Sequence, residues 1–384
     1  MDINAFSYVV VGSGLLGSVV AERIASQLNG KVLVIEKKEH IGGNCYSETD
    51  AATGIEYHRY GTHIFHTPNE KVWNYIRGFT TFNTYRHQVL SSYKNKIYQF
   101  PINLETINSF YNTSLRPHEV EDFMSKIRDN TIKEPANFEQ QAISVIGKDL
   151  YEAFFKYYTI KQWQIHPSEL PAAIFNRLPF RKNYVENYFF DQWQGIPENG
   201  YTALFQNLLS NKNIAVLLNT DFFSIRDQLK KDACIIYSGP IDRFFDYKFG
   251  RLTWRTLQFE KEIIDVEDYQ GNSVINYPEQ DIPYTRIHEP RHLHPERNYT
   301  KEKTIIFREY SRTDDGTAPF YPIPSGANME IFQRYRDEAS HLENVFISGR
   351  LGDYKYYDMH QTIARALEIF ETEILPKIRS SNGC

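Results

Sequence analysis

Apolar residues recur along this chain in two rhythms. Tyr8-Val-Val-Val and Lys31-Val-Leu-Val-Ile are short unbroken apolar runs, and Ser18 to Leu28 between them carries helical spacing. Unbroken runs of this kind predict strands buried on both faces, as in a parallel sheet flanked by helices. Gln88 to Phe100 alternates instead, around Lys94-Asn95-Lys96, and predicts a hairpin. From Leu104 to about Glu169 the period turns helical, bounded at Pro117 and Pro135, with Phe138 to Tyr158 its clearest stretch. Between 180 and 330 short β-rich runs return, among them Ala215 to Asn219, Ala233 to Ser238, Gly271 to Tyr277 and Lys303 to Tyr310. Asn344-Val-Phe-Ile-Ser-Gly349 then reads as a strand entering a glycine turn, followed by a helix from about Met359 to Leu375. A chain that opens with strand–helix–strand and closes with strand–glycine–helix predicts one discontinuous α/β domain built from both ends. The remainder is inserted helical and β-sheet structure.

The first turn carries chemistry. Gly12-x-Gly14-x-x-Gly17 follows the first strand and opens the helix, and the second strand ends in Glu36. Gly12 permits the tight turn, Gly14 lets the backbone approach a pyrophosphate, and Gly17 packs helix on strand. Unpaired N–H groups at the helix start attract the anion. Glu36 stands where a carboxylate takes hydrogen bonds from a ribose diol and repels a 2′-phosphate. That disfavours NADP and leaves NAD and FAD open, and the glycine pair Gly42-Gly43-Asn44 just after the second strand tilts the reading towards FAD.

Composition narrows the partners. A net charge of −5 argues against nucleic acid, which needs a basic face. Cys45, Cys234 and Cys384 are too few and too scattered for a disulfide framework or a zinc site, and fit a reducing cytoplasm. Acidic Asp2 before the apolar Tyr8–Val20 stretch spoils a signal-peptide reading, and no run reaches the roughly 18–20 apolar residues that insert into a membrane. Aromatic residues make up 15% of the chain, and the clusters at 151–163, 184–193, 320–321 and 354–357 suggest walls of a polar aromatic cleft. His63 and His66 lack further ligands for a metal, so none is expected, and they predict a loop beside a cofactor or a structural pair. Arg177, Arg181 and Arg286 offer planar forks suited to phosphate. There is no Gly-x-Ser-x-Gly elbow, Walker A motif or paired-carboxylate signature, so a cofactor should carry the chemistry.

Longer motifs point to a family. Gly61-Thr-His63-Ile-Phe-His66-Thr, Tyr158-Thr-Ile-Lys-Gln-Trp163, Pro167-Ser-Glu-Leu-Pro-Ala, Arg177-Leu-Pro-Phe-Arg, Gln194-Gly-Ile-Pro-x-x-Gly-Tyr201, Pro283-Tyr-Thr-Arg286, Tyr321-Pro-Ile and Arg350 to Met359 resemble prokaryotic UDP-galactopyranose mutases over essentially the whole chain. The resemblance implies a Rossmann-like FAD-binding domain at 1–85, 205–242 and 335–384, and a helical domain at 103–175 with a substrate lid at about 170–182. An antiparallel β-sheet domain takes 86–102, 183–204 and 243–334. It implies an isomerase in which N5 of reduced FAD attacks the anomeric carbon of UDP-galactopyranose, with no net redox change and an external reductant such as NAD(P)H. It also implies a homodimer.

Residue by residue, Arg177 and Arg286 resemble the pair gripping the diphosphate, with His63 beside the flavin as the third catalytic position. Phe154, Tyr158, Trp163, Tyr188, Arg255, Tyr321 and Tyr356 complete the implied substrate site. Gly12, Gly14, Leu16, Gly17, Glu36, Lys37, Gly43, Asn44, His63, Arg350, Asp358 and Met359 are the implied cofactor contacts. Thr62 stands where the family often has proline, and Gln164 where it usually has glycine. The second change leaves UDP-N-acetylgalactosamine open as the substrate, and a flavin amine-oxidase-like oxidoreductase is the other alternative.

Overall fold

Two sheets organise the molecule. In the computed structural model, which describes residues 2–177 and 179–381, the first sheet is five-stranded and wholly parallel. Its order is Val345–Ile347, Cys234–Tyr237, Tyr8–Val11, Val32–Ile35, Ile214–Leu217. Strands from the beginning, middle and end of the chain therefore lie side by side, with Val9 paired to Ile235 on one flank and to Leu33 on the other. Alternation along each strand sends side chains to opposite faces. Val10, Val34 and Ile236 pack on the helices Leu15–Gln27 and Met359–Ile369 on one side. Val9, Leu33, Ile35 and Ile347 meet Phe244 and Tyr335 on the other.

The second sheet has seven strands in the order Tyr321–Pro322, Trp254–Ile264, Thr304–Thr313, Arg286–His288, Val274–Asn276, Val89–Tyr93, Lys96–Phe100. It is antiparallel save for one parallel junction, where Ile275 sits opposite Leu90. The whole helical region separates those two strands, so no tight turn dictates their direction. The hairpin turns on Lys94 and Asn95, both left-handed at φ 49° and 60°, as a two-residue loop requires.

Two departures from the sequence reading have local causes. Phe138 to Tyr158 is not one helix: Phe138–Ile146 ends at Gly147, whose φ of +83° breaks the ladder. A Cβ there would lie 2.8 Å from the Ile127 carbonyl. The chain then passes through Lys148–Tyr151 and a wide turn at Glu152–Lys156 before the helix Tyr157–Trp163. Trp254–Ile264, the longest strand, carries no clear apolar alternation because Gln258, Glu260, Lys261 and Glu262 dominate its second half.

The closest backbone approach lies in the first turn, where a Cβ on Gly17 would stand 1.9 Å from the Gly12 carbonyl oxygen and 3.0 Å from Val10 Cγ1. Neither backbone nor buried valine can yield cheaply, so Gly17→Ala should lower unfolding free energy by about 1–3 kcal/mol in urea titrations. Gly326→Ala, at a helix start with nothing within 4 Å, should be neutral or mildly stabilising in the same assay.

Candidate active site

The sheet edge builds a cradle. Gly12, at φ +97°, turns the chain off the first strand, and Gly14 heads the helix Leu15–Gln27 with no side chain capping it. There is open space beside this helix start: a Cβ on Gly14 would meet nothing within 4 Å. Gly43, at φ +60°, approaches from the opposite loop, where a Cβ would stand 3.1 Å from Gly14 Cα. Two bare backbones facing one helix N-terminus fit a pyrophosphate. Buried Glu36 takes hydrogen bonds from Ser13 N and Oγ at 2.9 and 2.8 Å and from Lys38 N at 2.9 Å. These fix its carboxylate and leave lone pairs for a ribose diol. The residues present thus fit a dinucleotide such as FAD.

Lys38, rather than Lys37, lines this region: Lys38 Nζ donates to Asn44 Oδ1 at 2.7 Å and to Gly43 O, above the Tyr60 ring. Lys37 reaches outward to Thr317 O at 3.4 Å. Leu16 is buried against the Gly349 turn.

The closing strand delivers the other side. Gly349, at φ +98°, is held by Asp353 Oδ2, and Arg350 Nη2 donates to Tyr357 O at 2.8 Å. Asp358 and Gln361 form a capping box at the start of the helix Met359–Ile369. Cys45 donates its S–H to Met359 Sδ at 3.6 Å, and burial pushes the Cys45 thiol well up. His63 Nδ1 donates to Gly61 O at 2.7 Å, which leaves Nε2 as an acceptor. Burial, reinforced by Arg350, outweighs that carbonyl and brings His63 down to about 4, so it is neutral at pH 7. His66 goes elsewhere, to Asp191 Oδ2 at 2.5 Å, stacked on Phe189. Among the described residues His66, Asp358 and His360 draw close enough to share a ligand, but Asp358 is already part of the helix cap, and we assign no metal there.

Arg286 is the centre of the second half-site. It stands opposite Glu309 across two antiparallel strands, with Nε 3.4 Å from Glu309 Oε1. Its guanidinium touches the Tyr158 hydroxyl, and Tyr188 and Tyr321 lie within its field. Burial pushes the Tyr158 phenol up to about 12 in spite of the arginine, and raises Tyr188, Tyr321 and Tyr356 too, so all four remain O–H donors. Arg350 joins this group from the cofactor side, 5.7 and 5.2 Å from the Tyr321 and Tyr356 ring centroids. Behind Arg286 a chain of bonds runs through Glu309 and His288 (2.8 Å) to the Thr62 hydroxyl (2.7 Å), next to His63.

Other expected substrate residues are placed differently. Phe154 is buried in an aromatic cluster with Tyr93, Tyr98 and Phe110. Trp163 ends its helix, half-buried against the helical core. Arg255 is only 1% exposed and donates to Gln162 O, Gln164 Oε1, Ser311 Oγ and Thr313 Oγ1 at 2.8–3.1 Å. It clasps the end of that helix, and Gln164 holds a left-handed φ of 53° beside it. Arg177 closes the turn Ala172–Arg177, and its side chain lies outside the described residues, as do Leu178 and Cys384. The sequence reading missed Glu309, His288 and Cys45. Glu309 left a signal, an acid at an inward position of the strand Thr304–Thr313, whereas His288 and Cys45 left none.

Known proteins share this architecture. The profile of the UDP-galactopyranose mutase family matches residues 153–356, and that of NAD(P)-binding Rossmann-like domains matches 10–79. A dTDP-fucopyranose mutase of Escherichia coli is 41% identical over 94% of this chain and 96% of its own. A probable UDP-galactopyranose mutase of Klebsiella pneumoniae is 42% identical over 95% and 94%. A solved reduced UDP-galactopyranose mutase superposes with a TM-score of 0.71 at 12% identity, covering 95% of this chain and 93% of that one.

Two measurements check the site. Gly14→Val should abolish flavin retained through gel filtration. The flavin-free protein should lose no more than about 1–2 kcal/mol in urea titrations, the cost of a poorer helix cap, since a Cβ there enters open space. Burial alone would raise Glu309, but Arg286 and His288 outweigh it and hold the carboxyl at about 2, below its usual 4.5. The corresponding stability, on the order of 3 kcal/mol, is complete above pH 4.5 and lost as pH falls towards 2. Glu309→Gln should therefore be less stable than wild type at pH 7, with a shallower pH dependence between pH 5 and about 3 in denaturant titrations.

Proposed function

The chain belongs to the UDP-galactopyranose mutase family, and from that premise we propose that it interconverts UDP-galactopyranose and UDP-galactofuranose with reduced FAD and no net redox change. The observation that carries the reading is Arg286, a half-buried cation with a carboxylate across the strand pair and phenolic donors around it. Such a pocket offers positive charge and O–H donors to a diphosphate. In this proposal Gly12, Gly14, Gly17, Gly43 and Asn44 hold the pyrophosphate side of FAD and Glu36 its ribose. Asp358, Met359 and Arg350 flank the ring. What bound, reduced FAD supplies is a nucleophilic ring nitrogen for the anomeric carbon.

The protein's own part is to hold the diphosphate as it leaves and returns. Arg286 and Arg177 neutralise the charge that grows on it, and Tyr158, Tyr188, Tyr321 and Tyr356 donate to its oxygens. Neutral His63 adds no positive charge beside the reduced ring, and its Nε2 is free to accept a hydrogen bond. NAD(P)H as reductant, a homodimer and a cytoplasmic location belong to the same proposal. No helix among the described residues is long and apolar enough to cross a membrane.

Purified protein should show flavin absorbance and convert UDP-galactofuranose to UDP-galactopyranose with dithionite but not without it. A flavin-loaded protein inert under reduction towards UDP-galactose, dTDP-fucose and UDP-N-acetylgalactosamine would overturn the proposal. The relative named for dTDP-fucopyranose supports a second reading of the sugar and base, which direct competition between the two nucleotides resolves. Arg286→Ala should cut kcat/KM by a factor of about 30 or more, as removing one positioned charge partner costs about 2–5 kcal/mol.

A further inference from the structure

The short helix Tyr157–Trp163 carries Tyr158, which meets Arg286, and a lysine one turn further on with an unusual set of partners. Lys161 Nζ lies 2.5 Å from Tyr277 O, 2.9 Å from Glu279 O, 2.9 Å from Ile282 O and 3.0 Å from Tyr284 O. All four belong to the loop between the strands Val274–Asn276 and Arg286–His288, and Arg286 follows two residues after Tyr284. An ammonium has three protons and no acceptor, so four carbonyls around it are a cation cage rather than a set of separate hydrogen bonds. Carbonyls drawn together without a cation repel one another, and a ring of them is what replaces the hydration shell of a potassium ion in a selectivity filter.

Residues three apart share one face of a helix. Tyr158 and Lys161 therefore pin the same helix face to the same hairpin, one at the arginine and the other at the loop leading into it. Arg255 fixes the far end through Gln162 O. We propose that Lys161 is a positioning residue: its ammonium gathers the 277–284 loop and thereby holds Arg286 in register with Tyr158 across the diphosphate site. The role rests on the diphosphate reading given above for Arg286.

An open cavity of about 470 Å³ lies beside Lys161, lined also by Gln164, His166, Pro283 and Ser311, so solvent and its ions reach the lysine. Two variants separate charge from bulk. Lys161→Ala empties the cage, whereas Lys161→Met fills it with an uncharged chain of similar length. In choline chloride, Lys161→Ala should raise KM for the sugar nucleotide and Kd for UDP about tenfold, as charged hydrogen bonds of this strength predict, with kcat nearly unchanged. Potassium or ammonium chloride at the same ionic strength should restore most of both and raise the thermal unfolding midpoint. Lys161→Met should show the loss without the rescue.

Unchanged UDP affinity of Lys161→Ala in choline would overturn the proposal. So would a loss that potassium, ammonium and choline leave equal. The unfolding midpoint needs no turnover, so it judges the cage by itself. A midpoint lifted only by cage-sized cations, in a protein whose wild type turns over none of the three nucleotides, would sink the mutase reading and leave the cage standing.

Discussion

Drawing a guanidinium partly out of water is the constraint on which this site depends. A cation taken out of water is tolerated only where fixed opposite charge and dipoles replace its hydration. Here one carboxylate stands across the strand pair, and the phenols of Tyr158, Tyr188 and Tyr321 lie around the guanidinium. Asp358 is a second carboxylate beside these phenols, acting on Tyr188, Tyr321 and Tyr356, with Arg350 near the rings of Tyr321 and Tyr356 to oppose it. The two-stranded register that sets Glu309 opposite Arg286 thus does electrostatic work, and the sheet is the rigid element that such a balance needs.

The same argument shows how the two halves of the site communicate. Thr62 precedes His63 in the loop beside the cofactor cradle, and its hydroxyl reaches His288, which reaches Glu309. A proline at that position could not make the bond. Thr62 thus holds the loop from outside, through a side-chain bond, rather than by stiffness of its own backbone.

Much of this was legible in the sequence, for reasons that particular residues make plain. The cradle was readable because its chemistry is backbone chemistry: Gly12, Gly14 and Gly17 advertise a geometry no other residue tolerates. The five parallel strands were readable because burial on both faces leaves unbroken apolar runs. Trp254–Ile264 was not, since half of it is bathed in solvent and its charged residues erase the alternation. Glu309 and His288 were invisible as a pair because strand register brings them together across about twenty residues of intervening chain. Phe154 and Arg255, expected at the substrate site from the resemblance, lie buried, one among aromatic rings and the other in hydrogen bonds at the helix end, and no pattern in the sequence announces either environment.

The parallel sheet, finally, has a consequence for how the molecule comes into being. Its edge strand Val345–Ile347 pairs with Cys234–Tyr237, which pairs with Tyr8–Val11, so neighbours in space lie far apart along the chain. Pairings this distant are slow to form, because loop closure costs entropy before the contact repays it. The cradle at Gly12 is complete only once Gly349, Arg350 and Asp358 have docked beside it. Until then the apolar faces prepared for that strand and helix stand open, and the folding chain is exposed to aggregation.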